Sequence, residues 1–219
     1  MDIAENIKNI KTEISSEVTL VAISKTKPNE DVMAAYETGH RIFGENKVQE
    51  MVEKWENLPK DNQWHMVGHV QRNKVKYMVT FVDLIHAVDS LKLLKEIEKQ
   101  AKKSNRTIQC LLQIKIAEED TKYGINVDKA EEILQSEAFQ KMSHVKIVGL
   151  MGMATLTDNE EKIRKEFSFL KDTFDELQKK QPSFTTLSMG MSGDYKIAIE
   201  CGSNMIRVGS SIFGERNYN

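Results

Sequence analysis

Short apolar runs alternate with helical segments along this whole chain, and that alternation limits the fold more than any other feature. The strand candidates are Val18–Ile23, Arg41–Gly44, Gln63–Val67, Leu84–Val88, Thr107–Ile116, Val145–Met151, Thr186–Met189 and Met205–Val208. Several are apolar on consecutive residues, as expected of strands covered on both faces in a parallel sheet. Between them lie helical patterns. Asn29 is expected to cap one, with Val32, Met33, Ala35 and Tyr36 on its buried side and Gly39 at its end. Val48, Met51, Val52 and Trp55 mark the next, and Gln71–Val79 another. Ser90 caps a helix through Lys103, Val127–Ser136 is helical, and Asp158 or Asn159 starts a helix with Ile163, Phe167, Leu170 and Phe174 on one face. Short helices follow at Asp194–Cys201 and Ser210–Phe213, and an extra amphipathic helix over Ile3–Ser15 precedes the first strand. Strict βα alternation predicts an α/β fold, either a (β/α)8 TIM barrel or a doubly wound sheet. The short, evenly spaced strands favour the barrel, as a single domain over residues 1–219.

In such a barrel the functional residues stand at the C-terminal strand ends. The first strand runs into Ser24-Lys25-Thr26-Lys27-Pro28. An amine emerging from apolar surroundings has its charged form disfavoured and can attack a carbonyl; the competing reading is a solvated lysine at a strand end. Gly44-Glu45-Asn46 follows the second strand, and the third carries His65, with Gly68 and Gln71 beyond. The last two exits, Gly190-Met191-Ser192-Gly193 and Gly209-Ser210, put backbone N–H groups and hydroxyls before helices, which suits a phosphate. Gly and Ser also dominate ordinary turns. Arg207 lies just before the last of these loops. A phosphorylated aldehyde that condenses with lysine satisfies all these features. Pyridoxal 5'-phosphate is one such molecule, and a sugar phosphate on a Schiff-base aldolase is nearly as good a fit.

Composition narrows the alternatives. With 31 basic and 33 acidic residues, the chain offers no global basic field for nucleic acid. No apolar run reaches the roughly 20 residues of a membrane span. The N-terminal Met1-Asp2-Ile3-Ala4 lacks a signal peptide pattern. Cys110 and Cys201 show no metal-ligand spacing and no identifiable basic neighbour. A cytoplasmic protein is expected, and, with no exposed apolar stripe evident, a monomer.

These blocks resemble a known family. Val21-Ala22-Ile23-Ser24-Lys25-Thr26-Lys27-Pro28, Phe43-Gly44-Glu45-Asn46-Lys47-Val48-Gln49-Glu50, Trp64-His65-Met66-Val67-Gly68-His69-Val70-Gln71-Arg72-Asn73-Lys74, Gly149-Leu150-Met151, Leu187-Ser188-Met189-Gly190-Met191-Ser192 and Ile206-Arg207-Val208-Gly209-Ser210-Ser211-Ile212-Phe213-Gly214 are similar, in order, to the pyridoxal phosphate homeostasis proteins. Those proteins look like the N-terminal barrel of alanine racemase. The resemblance implies pyridoxal 5'-phosphate held on Lys25 as a Schiff base. It implies a phosphate held by Ser192, Gly209 and Ser210, with Arg207 facing the pyridine nitrogen and Asn46 and His65 lining the pocket. Lys25 shares its strand face with Ile23; if the strand stays regular, Lys27 shares it too, as a second amine or phosphate neighbour. His69, Gln71, Asn73 and Lys74 are read as solvating the third helix or binding an outer ligand, and Met151 and Met189 as core. In alanine racemases a second acid/base comes from a C-terminal domain and a partner subunit. This chain ends at Asn219, so the expected activity is buffering and delivery of the cofactor to apo-enzymes, without efficient racemase turnover. A small amino-acid racemase or lyase and an interaction protein with a vestigial site are the competing classes.

Overall fold

The structure, a computed structural model, describes residues 2–119 and 123–215. The single domain expected over 1–219 therefore includes a few residues, Met1, 120–122 and 216–219, that lie outside the described ones. Eight parallel strands close on themselves in sequence order. They are β1 (Thr19–Ile23), β2 (Ile42–Glu45), β3 (Gln63–Met66), β4 (Val82–Val88), β5 (Ile108–Gln113), β6 (Val145–Met151), β7 (Thr186–Met191) and β8 (Met205–Val208). The barrel alternative holds, and the doubly wound one does not.

The helices between strands are α2 (Asn29–Glu37), α3 (Val48–Asn57), α4 (Val75–Met78), α5 (Leu91–Lys103), α6 (Val127–Gln135), α7 (Glu137–Gln140), α8 (Glu160–Lys180) and α9 (Tyr195–Glu200). α1 (Ile3–Glu13) precedes the barrel and α10 (Ser210–Phe213) follows it. Ser90 and Asn159 cap α5 and α8 as expected, each side chain accepting from a backbone N–H three residues on. Asn29 does not cap α2; it is the first helical residue, and Pro28 stands at the cap position without a side-chain bond. The helix expected over Gln71–Val79 divides into a 3-10 turn at Arg72–Lys74 and the single turn of α4.

Two apolar layers explain the continuous strand hydrophobicity. Inside the barrel, Val21, Ile23, Leu84, Leu111, Val148, Met151 and Met205 pack together. Between sheet and helices, a larger cluster includes Phe43, Trp64, Ile85, Leu112, Met189 and Phe167. Each large side chain fully removed from water there contributes roughly 1.5–3 kcal/mol. α1 buries Ile7 and Ile10, and the Asn6 amide donates to the Ile212 carbonyl at 2.9 Å, tying it to α10. Cys110 and Cys201 are both free thiols. Contrary to expectation, Cys201 has a basic neighbour, with the Arg164 guanidinium 4.0 Å from Sγ. Among the described residues no helix is long and apolar enough to cross a membrane, and no group of three or more potential ligands could hold a metal ion.

Candidate functional site at the barrel mouth

β1 supplies the lysine. Val21 and Ile23 face the barrel interior, and Ser24, fully buried, faces the helical layer, where its hydroxyl donates to Glu45 Oε1 at 2.6 Å. The half-buried Lys25 is next. At Thr26 the chain turns left-handed, with φ +63°, an uncommon conformation for a β-branched residue. The two-residue alternation breaks there. Lys27 consequently leaves the Lys25 side, and its ammonium donates to the carbonyls of Phe213 (2.7 Å) and Glu215 (3.0 Å). The expected second amine is instead a clamp on the end of α10.

The exits of β7 and β8 meet beside it. Gly209 N–H donates to Ser192 Oγ at 3.1 Å, and Ser211 N–H approaches the same oxygen at 3.4 Å. Asp194 holds this loop by accepting from Met191 N–H at 2.5 Å. A Cβ on Gly209 would sit 3.3 Å from both Cβ and the carbonyl oxygen of Ile23, so glycine lets the β8 exit pack against β1, two residues before Lys25. Ser192 and Gly209 are thus brought together. Ser210 is exposed between Gly209 and Ser211, and Ser211, not singled out in the sequence, supplies the second N–H.

A buried polar chain crosses the barrel below this cup. Arg207 donates to Ser188 Oγ at 2.6 Å and to the Gly152 carbonyl at 3.0 Å. Ser188 Oγ lies 3.0 Å from His86 Nδ1, and His86 Nε2 lies 3.1 Å from His65 Nδ1. Burial holds both imidazoles in the neutral form. It brings His65 down to about 3 and puts His86 well below its ordinary value, the latter helped by neighbouring His65 and Arg207. Burial also lowers Arg207 to about 10, against the pull of Asp194, leaving it cationic at neutral pH. Two opposite proton assignments satisfy these contacts, and one of them runs outward from Arg207. In that one, Ser188 accepts from Arg207 and donates to His86 Nδ1, and His86 Nε2–H donates to His65 Nδ1. His65 then carries its proton on Nε2. Asn46 is exposed at the end of β2, with its carbonyl and side chain against Gly68, and His69 stacks on Tyr123 (4.8 Å between centroids), 3.3 Å from Asp89.

Sequence reasoning missed His86, Ser188 and the pair Glu45–Lys54. The one available signal was polarity inside apolar runs: His86 within Val82–Val88, Ser188 within Thr186–Met191 and Glu45 at the end of β2.

Three buried imidazoles make stability fall with acid. His40, at the opposite end of the barrel, is lowered to about 4 by burial. Below about pH 6.5 the unfolded chain protonates all three while the folded one does not, so acid favours unfolding. Glu45 acts oppositely. Burial raises it to about 7, so its share of stability is present at low pH and lost as pH rises through 7. Three imidazoles against one carboxyl leave a net uptake of about two protons on unfolding near pH 5.5, or roughly 2–3 kcal/mol per pH unit. Thermal unfolding followed by circular dichroism should show Tm falling between pH 7 and pH 5.5; a flat profile would contradict this balance.

An eight-stranded parallel barrel with its polar groups gathered at the C-terminal mouth is the architecture of the alanine racemase N-terminal domain, whose family profile matches residues 1–217. An alanine racemase of Clostridium difficile 630 superposes with a TM-score of 0.83 over 100% of this chain and 60% of its own, at 14% identity, a likeness of fold. The pyridoxal phosphate homeostasis protein of Aquifex aeolicus is 39% identical over 91% of this chain and 87% of its own length, and that of Escherichia coli K12 is 32% identical over 99% and 98%. PipY of Synechococcus elongatus PCC7942, solved with PLP bound, has a TM-score of 0.87 at 33% identity, covering 97% of this chain and 100% of its own. The chain belongs to the pyridoxal phosphate homeostasis protein family, built on the alanine racemase N-terminal fold.

Proposed function

We propose that this protein binds pyridoxal 5'-phosphate at the barrel mouth, holds it reversibly on Lys25, and so buffers it and delivers it to apo-enzymes. The observation that carries the reading is the convergence of Gly209 and Ser211 N–H groups on Ser192 Oγ, packed against the strand that ends in Lys25. One hydroxyl oxygen accepts from both donors, and a phosphate oxygen is a stronger acceptor for the same N–H groups. Ser192, Gly209, Ser210 and Ser211 bind the phosphate. When bound, the cofactor supplies an aldehyde carbon to which a neutral amine adds with loss of one water, reversibly. Strand alternation carries Lys25 to the side of Val21 and Ile23, away from Ser24, and so toward that carbon.

Arg207, fixed by Ser188 and the Gly152 carbonyl, faces the pyridine nitrogen and disfavours its protonation by like-charge repulsion. Asn46 and His65 line the pocket, His65 through its remaining ring nitrogen. Racemase turnover needs a base that takes up a proton near neutral pH. The buried His65 and His86 are held far below that range, so neither serves as that base, which favours a carrier over a racemase or lyase. The relatives' name, with its reference to homeostasis, supports the same reading. The carrier acts as a monomer in the cytoplasm.

Adding pyridoxal phosphate to the purified protein should produce visible absorbance and, after borohydride reduction, one adduct mapped by peptide mass spectrometry to Lys25. A colourless protein, or adducts scattered over surface lysines, would refute the binding proposal. Amino-acid turnover that disappears in Lys25→Ala would refute the carrier reading while keeping the site.

A further inference from the structure

We propose that the buried cluster Glu45–Lys54–Glu50 is the positioning device of Lys25, clamping both peptide groups that flank it. The inference rests on the assignment of Lys25 above. Lys54 Nζ donates to the Ser24 carbonyl at 2.6 Å, on the peptide before Lys25. Glu50 Oε1 accepts from the Thr26 N–H at 2.5 Å, on the peptide after it. Lys54 joins the two grips, with Nζ 2.8 Å from Glu45 Oε1 and 2.8 Å from Glu50 Oε1. Glu45 in turn accepts from the Ser24 hydroxyl, and Ser24 N–H is held by the Gly44 carbonyl at 3.1 Å. The left-handed Thr26 is therefore fixed from outside.

None of this machinery faces the pocket. A Cβ on Gly44 would meet Val21, Ile23 and Val67 of the interior, so the next residue, Glu45, points to the helical layer, where Lys54 of α3 meets it. Stability alone gives no reason for the arrangement. The Glu45 and Lys54 side chains are 0% and 5% exposed, and a buried ion pair commonly does no better than well-packed apolar residues. One Glu45 oxygen, Oε2, is buried without a hydrogen-bond partner, and burial raises this carboxyl. The cluster delivers geometry. It holds the backbone on each side of one amine, and a reacting group displaced by about 1 Å can lose about a hundredfold in rate.

Glu50→Ala tests this with the Glu45–Lys54 pair intact, since the Glu50 side chain is 22% exposed and its loss leaves no buried charge unpaired. Covalent capture of pyridoxal phosphate, read as the rate of borohydride-stable labelling of Lys25, should fall by about ten- to a hundredfold. Affinity for pyridoxine 5'-phosphate, an alcohol that cannot condense with an amine, should stay within about twofold, since the phosphate cup is untouched. Amide hydrogen exchange at Thr26, measured without any ligand, should accelerate. Glu50→Gln, whose amide oxygen still accepts from Thr26, should recover most of the capture rate. Lys54→Met is the second probe and should show the same split. Capture at the wild-type rate in Glu50→Ala would overturn the inference, as would parallel loss of alcohol binding, which marks general collapse. If Lys25→Ala captures the cofactor as fast as wild type, the Lys25 assignment itself falls, an outcome the Glu50 and Lys54 variants cannot mimic.

Discussion

Lys25→Ala should abolish borohydride-stable attachment of pyridoxal phosphate while leaving reversible, noncovalent binding in place. In the proposed binding mode the two parts of the ligand would meet different elements. Its phosphate would meet the N–H groups of Gly209 and Ser211 with Ser192, on the exits of β7 and β8; its aldehyde would meet the exit of β1. Removing the amine leaves the cup intact. A well-oriented intramolecular amine acts at an effective concentration of about 10⁵ M or more, which no lysine in bulk solution matches. Lys27 cannot substitute, because its ammonium is committed to the carbonyls of Phe213 and Glu215. Cofactor transfer to an apo-enzyme should accelerate by at least about a hundredfold, since the covalent hold is gone and only phosphate and ring contacts delay release. Stopped-flow absorbance and trapping by an apo-acceptor measure both quantities. A single new adduct on another lysine, formed at the wild-type rate, would show that the barrel mouth does not depend on this amine.

How much of this was legible depended on whether the signal was local. β6 and β8 have the bounds that apolar patterning predicts, because each is a compact run between turn residues. Ser90 and Asn159 were recognisable as caps because a cap needs only a backbone N–H three residues on. Lys25 was placed at a strand exit by its immediate neighbours. The polar chain from Arg207 to His65 was not legible in the same way. His86 and Ser188 are 102 residues apart and meet only across the closed barrel. Glu45 and Lys54 are nine apart, a spacing that means nothing until α3 folds back over β2. Lys27 was misplaced because strand alternation was carried through Thr26, where the left-handed backbone ends it. The Gln71–Val79 helix was overlong because apolar spacing does not distinguish a 3-10 turn from an α-helical one.

Gly149→Ala should destabilise the barrel by about 3 kcal/mol or more, near the top of the range for single substitutions. A Cβ at this position would lie 1.7 Å from the Thr186 carbonyl oxygen and 2.7 Å from its carbon, both backbone atoms of the paired strand, and φ is +156°. No rotamer relieves a clash made by Cβ itself. The need for glycine comes from the interior packing. Val148 and Met151 both face the barrel lumen, whereas Ile147 and Leu150 face the helices, so two-residue alternation slips by one within β6. The pairing of β5 with β6 shifts register there, passing from Cys110–Ile147 to Leu111–Gly149, and Gly149 absorbs the extra residue as a bulge. Alanine would push β7 outward at Thr186, two residues from Ser188, the hydroxyl that joins Arg207 to His86. Urea unfolding should therefore report the loss of stability, and pyridoxine 5'-phosphate should bind more weakly as Arg207 loses its anchor. Gly39→Ala is the control: φ there is +83°, yet nothing lies within 4 Å of the added carbon, so only the backbone cost of about 1 kcal/mol applies. Equal effects at the two positions would mean that the β6 bulge does not set the spacing of β7, and that the Ser188–Arg207 contact does not depend on it.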